Sequence, residues 1–170
     1  VRLTLDFTSA RIWFFIAVCL LVFGLSRSIH ASSILQRFMM AAPPTISTQE
    51  IRNLLADGTR NSNFVIVDVR SEAEVSVSVI PSAISRAEFE RTAADHQGKE
   101  IITYCTIGVR SGRFAKKLIQ QGWKARNYKG SIIDWCKNKL PLVTHDGEET
   151  QQVHTYSARY SVPDDYKAIF

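Results

Sequence analysis

The chain has 170 residues, 45% of them apolar, with few glycines and prolines and a formal net charge of +5. This suits one globular core with tails and speaks against low-complexity or collagen-like structure. Three cysteines without paired spacing (Cys19, Cys105, Cys136) argue against a disulfide framework and against a zinc site.

The first forty residues read as a segment of their own. Ile12 to Phe23 is unbroken apolar sequence, preceded by Arg2 and Arg11 and followed, after Gly24, Leu25 and Ser26, by Arg27. A spanning helix needs about 20 apolar residues, whereas shorter runs suit an export signal or a buried helix. Ile29-His30-Ala31 is a poor cleavage signal. A start at Val1 therefore implies an anchored or exported protein, with membrane association through residues 12–25. The lack of acidic residues from Phe7 to Gln49 also fits an organellar transit peptide. A start at Met39 or Met40 instead implies a cytoplasmic protein, with residues 1–40 a mis-assigned extension.

Next comes an alternation of helices and strands, over residues 46–143. Ser47 and Glu50 have capping-box spacing and open a helix that buries Ile51, Leu54 and Leu55 and ends at Gly58. Phe64 to Val69 is apolar with one late carboxylate, the pattern of a strand buried on both faces. Ser71 and Glu74 repeat the capping box, and Ile80-Pro81 breaks the short helix they start. Ala87 to Ala94 reads as a surface helix, and Ile101 to Tyr104 as the next buried strand. On the following helix Phe114, Ala115, Leu118 and Ile119 form one apolar face. Ala125 to Tyr128 is a short strand, and Ser131 to Lys139 a last helix carrying Trp135. Such alternation predicts a parallel α/β sheet with helices on both faces. Residues 144–170 read as an extended tail draped over that domain.

Charge is uneven along the chain. Arg110, Arg113, Lys116, Lys117, Lys124, Arg126, Lys129, Lys137 and Lys139 face only Asp134 within residues 110–139. A basic field steers anionic ligands, although a solvated helix face gives the same composition. No aromatic-interleaved basic platform accompanies it, so no nucleic-acid partner is expected.

The chemistry concentrates at Cys105, placed directly after a buried strand and directly before a helix. There, loop amides and the helix N-terminus make an electropositive cradle that lowers a thiol pKa and holds an anion on the sulfur. Gly108 lets the backbone curl, and the Arg110 guanidinium can tie down loop carbonyls or a nearby carboxylate. Cys136 suits packing beside Trp135 better than a resolving role, and the four histidines lack metal-ligand spacing.

Four motifs in order give the sequence a family resemblance: Asp68-Val69-Arg70, Ile80-Pro81-Ser82-Ala83, the loop Cys105-Thr106-Ile107-Gly108-Val109-Arg110 followed by Ser111-Gly112, and Gly130 with Trp135. Over about Ile46 to Val143 the chain resembles the rhodanese family of single-domain sulfurtransferases. The resemblance implies a three-layer α/β domain and an enzyme of the thiosulfate sulfurtransferase class, working through a Cys105 persulfide without metal or organic cofactor. It also implies that the amides of Thr106, Ile107, Gly108, Val109, Arg110 and Ser111 line the pocket, and that Asp68 and Arg70 brace it. Implied partners are a small-molecule or protein persulfide donor and a thiol acceptor. Val75, Ser78-Val79 and Lys129 depart from the family pattern, and Thr106, Ile107 and Val109 stand where thiosulfate specialists often carry cations. Two other readings remain: a non-catalytic binding or regulatory module, and a cysteine-based phosphatase or arsenate reductase. The latter is disfavoured by a loop with four residues between Cys105 and Arg110, and by Tyr104 before the cysteine.

Overall fold

In the computed structural model residues 41–57 and 63–170 are described. The apolar segment 12–25, Cys19, the two methionines and Gly58 lie outside the described residues. From Ala42 onward the chain forms one compact unit.

Five parallel strands make the central sheet: β1 (Thr45–Ile46), β2 (Phe64–Asp68), β3 (Ala83–Ser85), β4 (Glu100–Tyr104) and β5 (Lys124–Tyr128), in the order β1-β5-β4-β2-β3. Between them lie helices α1 (Thr48–Ala56), α2 (Glu72–Val75), α3 (Arg86–Arg91) and α4 (Val109–Gln120), with α5 (Ser131–Lys137) after β5. A short 3-10 turn, Ala93–His96, follows α3. The architecture is the three-layer α/β domain expected.

The continuous apolar strands are explained by two cores, one on each face. Ile66, Ile102 and Tyr104 point to the layer containing Ile51, Ile132, Trp135 and Cys136. Their neighbours Val65, Val67 and Ile101 point to the layer of Phe89, Phe114, Ala115 and Leu118. Alternation along a strand sends successive side chains to opposite faces, so both sets must be apolar. Cys105 continues the alternation past the end of β4 and falls on the α4 side.

Chain order sets where a ligand can enter. From β2 the chain moves outward to β3, returns to β4 beside β2, and then moves the other way to β5. The loops after β2 and β4 therefore diverge at the topological switch point, where open α/β sheets bind ligands. Asp68-Val69-Arg70 and the Cys105 loop are those two loops.

Some elements differ from the expectations. The stretch read as one surface helix is α3 plus the 3-10 turn, and its Phe89 is buried, packing on Phe114 and Trp123. Residues 144–170 are partly built into the domain. β7 (Glu149–Thr150) pairs antiparallel with β6 (Leu142–Val143), at the end of the preceding segment, and β8 (Gln152–His154) pairs in parallel with β9 (Lys167–Ile169). Val153 and Thr155 are fully buried.

Candidate active site

Cys105 ends β4 and starts a loop whose backbone is held from behind. Two carbonyls, of Cys105 and Thr106, accept from the amides of Ile132 and Ile133 in the first turn of α5, at 3.1 and 3.4 Å. The Gly108 carbonyl accepts from Asn127 Nδ2 at 3.0 Å and from the Gly112 amide at 3.1 Å. With these oxygens drawn toward β5 and α5, the loop amides turn the other way, toward the sulfur. The Gly108 amide lies 3.1 Å from Cys105 Sγ.

Gly108 is required here for two reasons. Its φ of +84° is left-handed, and a Cβ would fall 2.3 Å from the Lys129 carbonyl oxygen. No side chain satisfies both constraints.

Polar side chains complete the cradle: Ser111 of the loop, and Ser131, Asn127 and Glu74, which were missed in the sequence. Ser111 Oγ lies 3.5 Å from Sγ and donates to Asn127 Oδ1 at 2.7 Å. Ser131 Oγ accepts from the Cys105 amide at 3.1 Å and lies 4.0 Å from Sγ. Ser131 is left-handed, at φ +56°. Glu74, the helix-capping carboxylate of α2, receives both Arg110 nitrogens at 2.6 and 2.7 Å and the Thr106 hydroxyl at 3.1 Å. Arg110 also donates to Thr106 Oγ1 at 2.8 Å. A polar Asn127 in an otherwise buried strand, and polar Ser131 directly after Gly130, were the available signals.

The cysteine is only 1% exposed, yet its surroundings are polar. Burial alone would push the Cys105 thiol up. The Ser111 hydroxyl and the amides of Ser111, Ile107 and Gly108 outweigh it and hold the thiol below its ordinary value. For Glu74, burial also acts upward, but the Arg110 guanidinium and the Ser71 amide hold its carboxyl down at about 2. Arg110 is raised by Glu74 in return.

Asp68 and Arg70 form a fully buried ion pair at 2.7 Å. The Arg70 guanidinium donates to the carbonyls of Ser78 and His154, at 2.5 and 3.4 Å. The bracing by this pair is thus directed at residue 78 and at β8, one layer out from the Cys105 loop. Ile107 and Val109 are exposed at the loop surface. Beside Arg110, a concavity of about 300 Å³ is lined by Val69, Arg86, Arg113, Phe114 and Lys117, with the Arg86 guanidinium 4.9 Å from the Phe114 ring centre. A larger groove of about 840 Å³, lined by Lys139, Leu142, Glu149 and Tyr166 among others, contains none of the groups around Cys105.

A family model for the rhodanese-like domain matches residues 47–138. The chain belongs to that family. A sulfurtransferase of Allochromatium vinosum is 29% identical over 106 residues, covering 60% of this chain and 96% of the relative. The thiosulfate:glutathione sulfurtransferase of Saccharomyces cerevisiae is 30% identical over 109 residues, covering 54% of this chain and 73% of the relative. Among solved structures, a rhodanese-related protein from Thermoplasma volcanium superposes with a TM-score of 0.50 at 20% identity, covering 59% of this chain and 97% of that one. That last likeness shows the fold alone; the two relatives place this rhodanese-like chain among sulfurtransferases. Among the described residues no helix is long and apolar enough to cross a membrane.

Proposed function

We propose that this rhodanese-like protein transfers sulfane sulfur through a persulfide on Cys105. The Sγ thiolate attacks the outer sulfur of a donor R–S–S⁻. An Sγ–S bond forms, the donor's S–S bond breaks, and the electron pair leaves with R–S⁻, which takes a proton from water. The terminal sulfur on Cys105 then carries the negative charge, and the inward amides stabilise it. An acceptor thiolate attacks that terminal sulfur, the Sγ–S bond breaks, and the Cys105 thiolate returns. The observation that carries this reading is the Gly108 amide 3.1 Å from Sγ, in a loop whose carbonyls are held away from it.

The donor we favour is an organic persulfide over thiosulfate. Exposed loop side chains at the site are apolar (Ile107 and Val109), and the Arg110 charge is matched by Glu74. Arg113 and Lys117, which form no ion pair among the described residues, lie in the adjoining concavity. Such an arrangement suits a donor whose carboxylates sit some distance from its sulfur, as those of glutathione persulfide do. Intact-mass measurement after incubation with glutathione persulfide should show one added sulfur on the wild type and none attributable to residue 105 in Cys105→Ser. Comparable rates with thiosulfate and glutathione persulfide at low donor concentration would count against the donor preference. Hydrolysis of an aryl phosphate that depends on Cys105 would favour the phosphatase alternative.

A further inference from the structure

The family match ends at residue 138, but the chain beyond it returns to the site. Buried Val153 and Thr155 anchor the return, the Thr155 amide donates to the Ile169 carbonyl at 2.9 Å, and Arg70 reaches the His154 carbonyl. Directly after this anchor stands Tyr156. Its backbone is left-handed, at φ +69°, and its amide donates to His154 Nδ1 at 3.1 Å. The side chain is 64% exposed, and its ring lies 5.2 Å from the Arg110 guanidinium carbon.

These features are hard to explain as packing. A β-carbon residue in left-handed geometry is strained, and such strain concentrates at functional sites. An aromatic ring left largely in water gains little from burial. Among the described residues the exposed large apolar side chains are Ile107, Val109, Tyr156 and Phe170. Two of these belong to the Cys105 loop, and a third covers the face of the arginine that closes it. Three N–H groups of that guanidinium are already committed to Glu74 and Thr106, so with Tyr156 over its face it offers an inorganic anion two N–H groups at most from among its five.

We propose that Tyr156 is a specificity-determining residue, forming with Ile107 and Val109 an apolar collar at the Cys105 loop that favours sulfur carried on a carbon chain over thiosulfate. The proposal rests on the sulfur-transfer reading above and adds to it a residue outside the family match.

The test uses the full chain as wild type, Tyr156→Ala and Tyr156→Phe, with glutathione persulfide and thiosulfate as donors. Initial rates give kcat/KM for each donor, and intact mass confirms sulfur on the protein. Tyr156→Ala should lower the ratio of kcat/KM for glutathione persulfide to that for thiosulfate about fivefold, the scale of one lost aromatic contact. Tyr156→Phe should restore the ratio. A ratio unchanged or raised in Tyr156→Ala overturns the proposal, as does a wild type that accepts sulfur from thiosulfate alone. A wild type that gains sulfur from neither donor sinks the transfer reading itself, which separates the two failures.

Discussion

Replacing Gly108 with alanine tests the cradle at its most constrained point. The new Cβ would meet backbone, Lys129 O at 2.3 Å and Lys129 Cα at 2.8 Å, and backbone cannot swing aside as a side-chain tip can. The left-handed φ of +84° adds about 1–2 kcal/mol for any residue with a Cβ. Relief requires the loop to lift from β5, which breaks the Asn127 Nδ2 bond to the Gly108 carbonyl and withdraws the Gly108 amide from Sγ. Loss of one donor to a developing anion typically costs about 100- to 1000-fold in rate. Melting temperature should fall by roughly 4 °C for each kcal/mol in a domain of this size. Titrating the ultraviolet absorbance of the thiolate should show the Cys105 pKa moving up, because burial then acts with one fewer opposing donor. Persulfide formation, followed by intact mass, should slow in parallel. A Gly108→Ala protein with unchanged thiol titration and unchanged transfer rate would refute the claim that these amides hold the sulfur.

Three further outcomes follow from the same contacts. Glu74 titrates near 2 when folded, below its unfolded value of 4.5, so its ionised form contributes stability that is complete above about pH 4.5. That contribution, on the order of 3 kcal/mol, should vanish as pH falls from there toward 2, and Glu74→Gln should flatten this part of the stability curve. Asn127→Asp should raise the Cys105 pKa, since a carboxylate would replace the Nδ2 donor to the Gly108 carbonyl, repel that oxygen and place a negative charge near the thiolate. Slowed transfer at neutral pH that recovers in more alkaline buffer is the expected profile, and a pH-independent loss would contradict it. Cys136→Ala should keep the ability to gain sulfur, checked by intact mass.

The sequence made the sheet interior legible because β2 and β4 are buried on both faces, which leaves an almost unbroken apolar run in each. β1 and β3 were not legible. They are two and three residues long, and they exist through pairing with β5 and β2. At the site, the loop could be read because the strand, Cys105, Gly108 and Arg110 are contiguous. Glu74 could not be read as its partner, because a local motif had already accounted for that carboxylate. Both roles are real: Oε2 takes the Ser71 amide at 2.9 Å and an Arg110 nitrogen at 2.7 Å. Asn127 and Ser131 act across the sheet edge, where spacing along the chain carries no information. The returning C-terminal segment was expected to drape the domain, but pairing within it and the position of Tyr156 depend on contacts distant in sequence.

The two described cysteines form an internal control for the central physical claim. Cys105 is 1% exposed and Cys136 is 0% exposed, so hydrophobic burial is nearly the same for both. Burial pushes the Cys136 thiol up to about 12, with little to oppose it. The same effect at Cys105 is reversed by the Ser111 hydroxyl and the amides of Ser111, Ile107 and Gly108. Burial therefore cannot be what distinguishes the lowered thiol from the raised one here; the direction in which nearby N–H groups point can. That direction is set at the junction of β5 and α5, by the amides of Ile132 and Ile133 and by Asn127 Nδ2 drawing loop carbonyls backward. The lowered thiol pKa of residue 105 thus depends on residues that never touch its sulfur, and substitutions at that junction should tune the thiol while the loop sequence stays as it is.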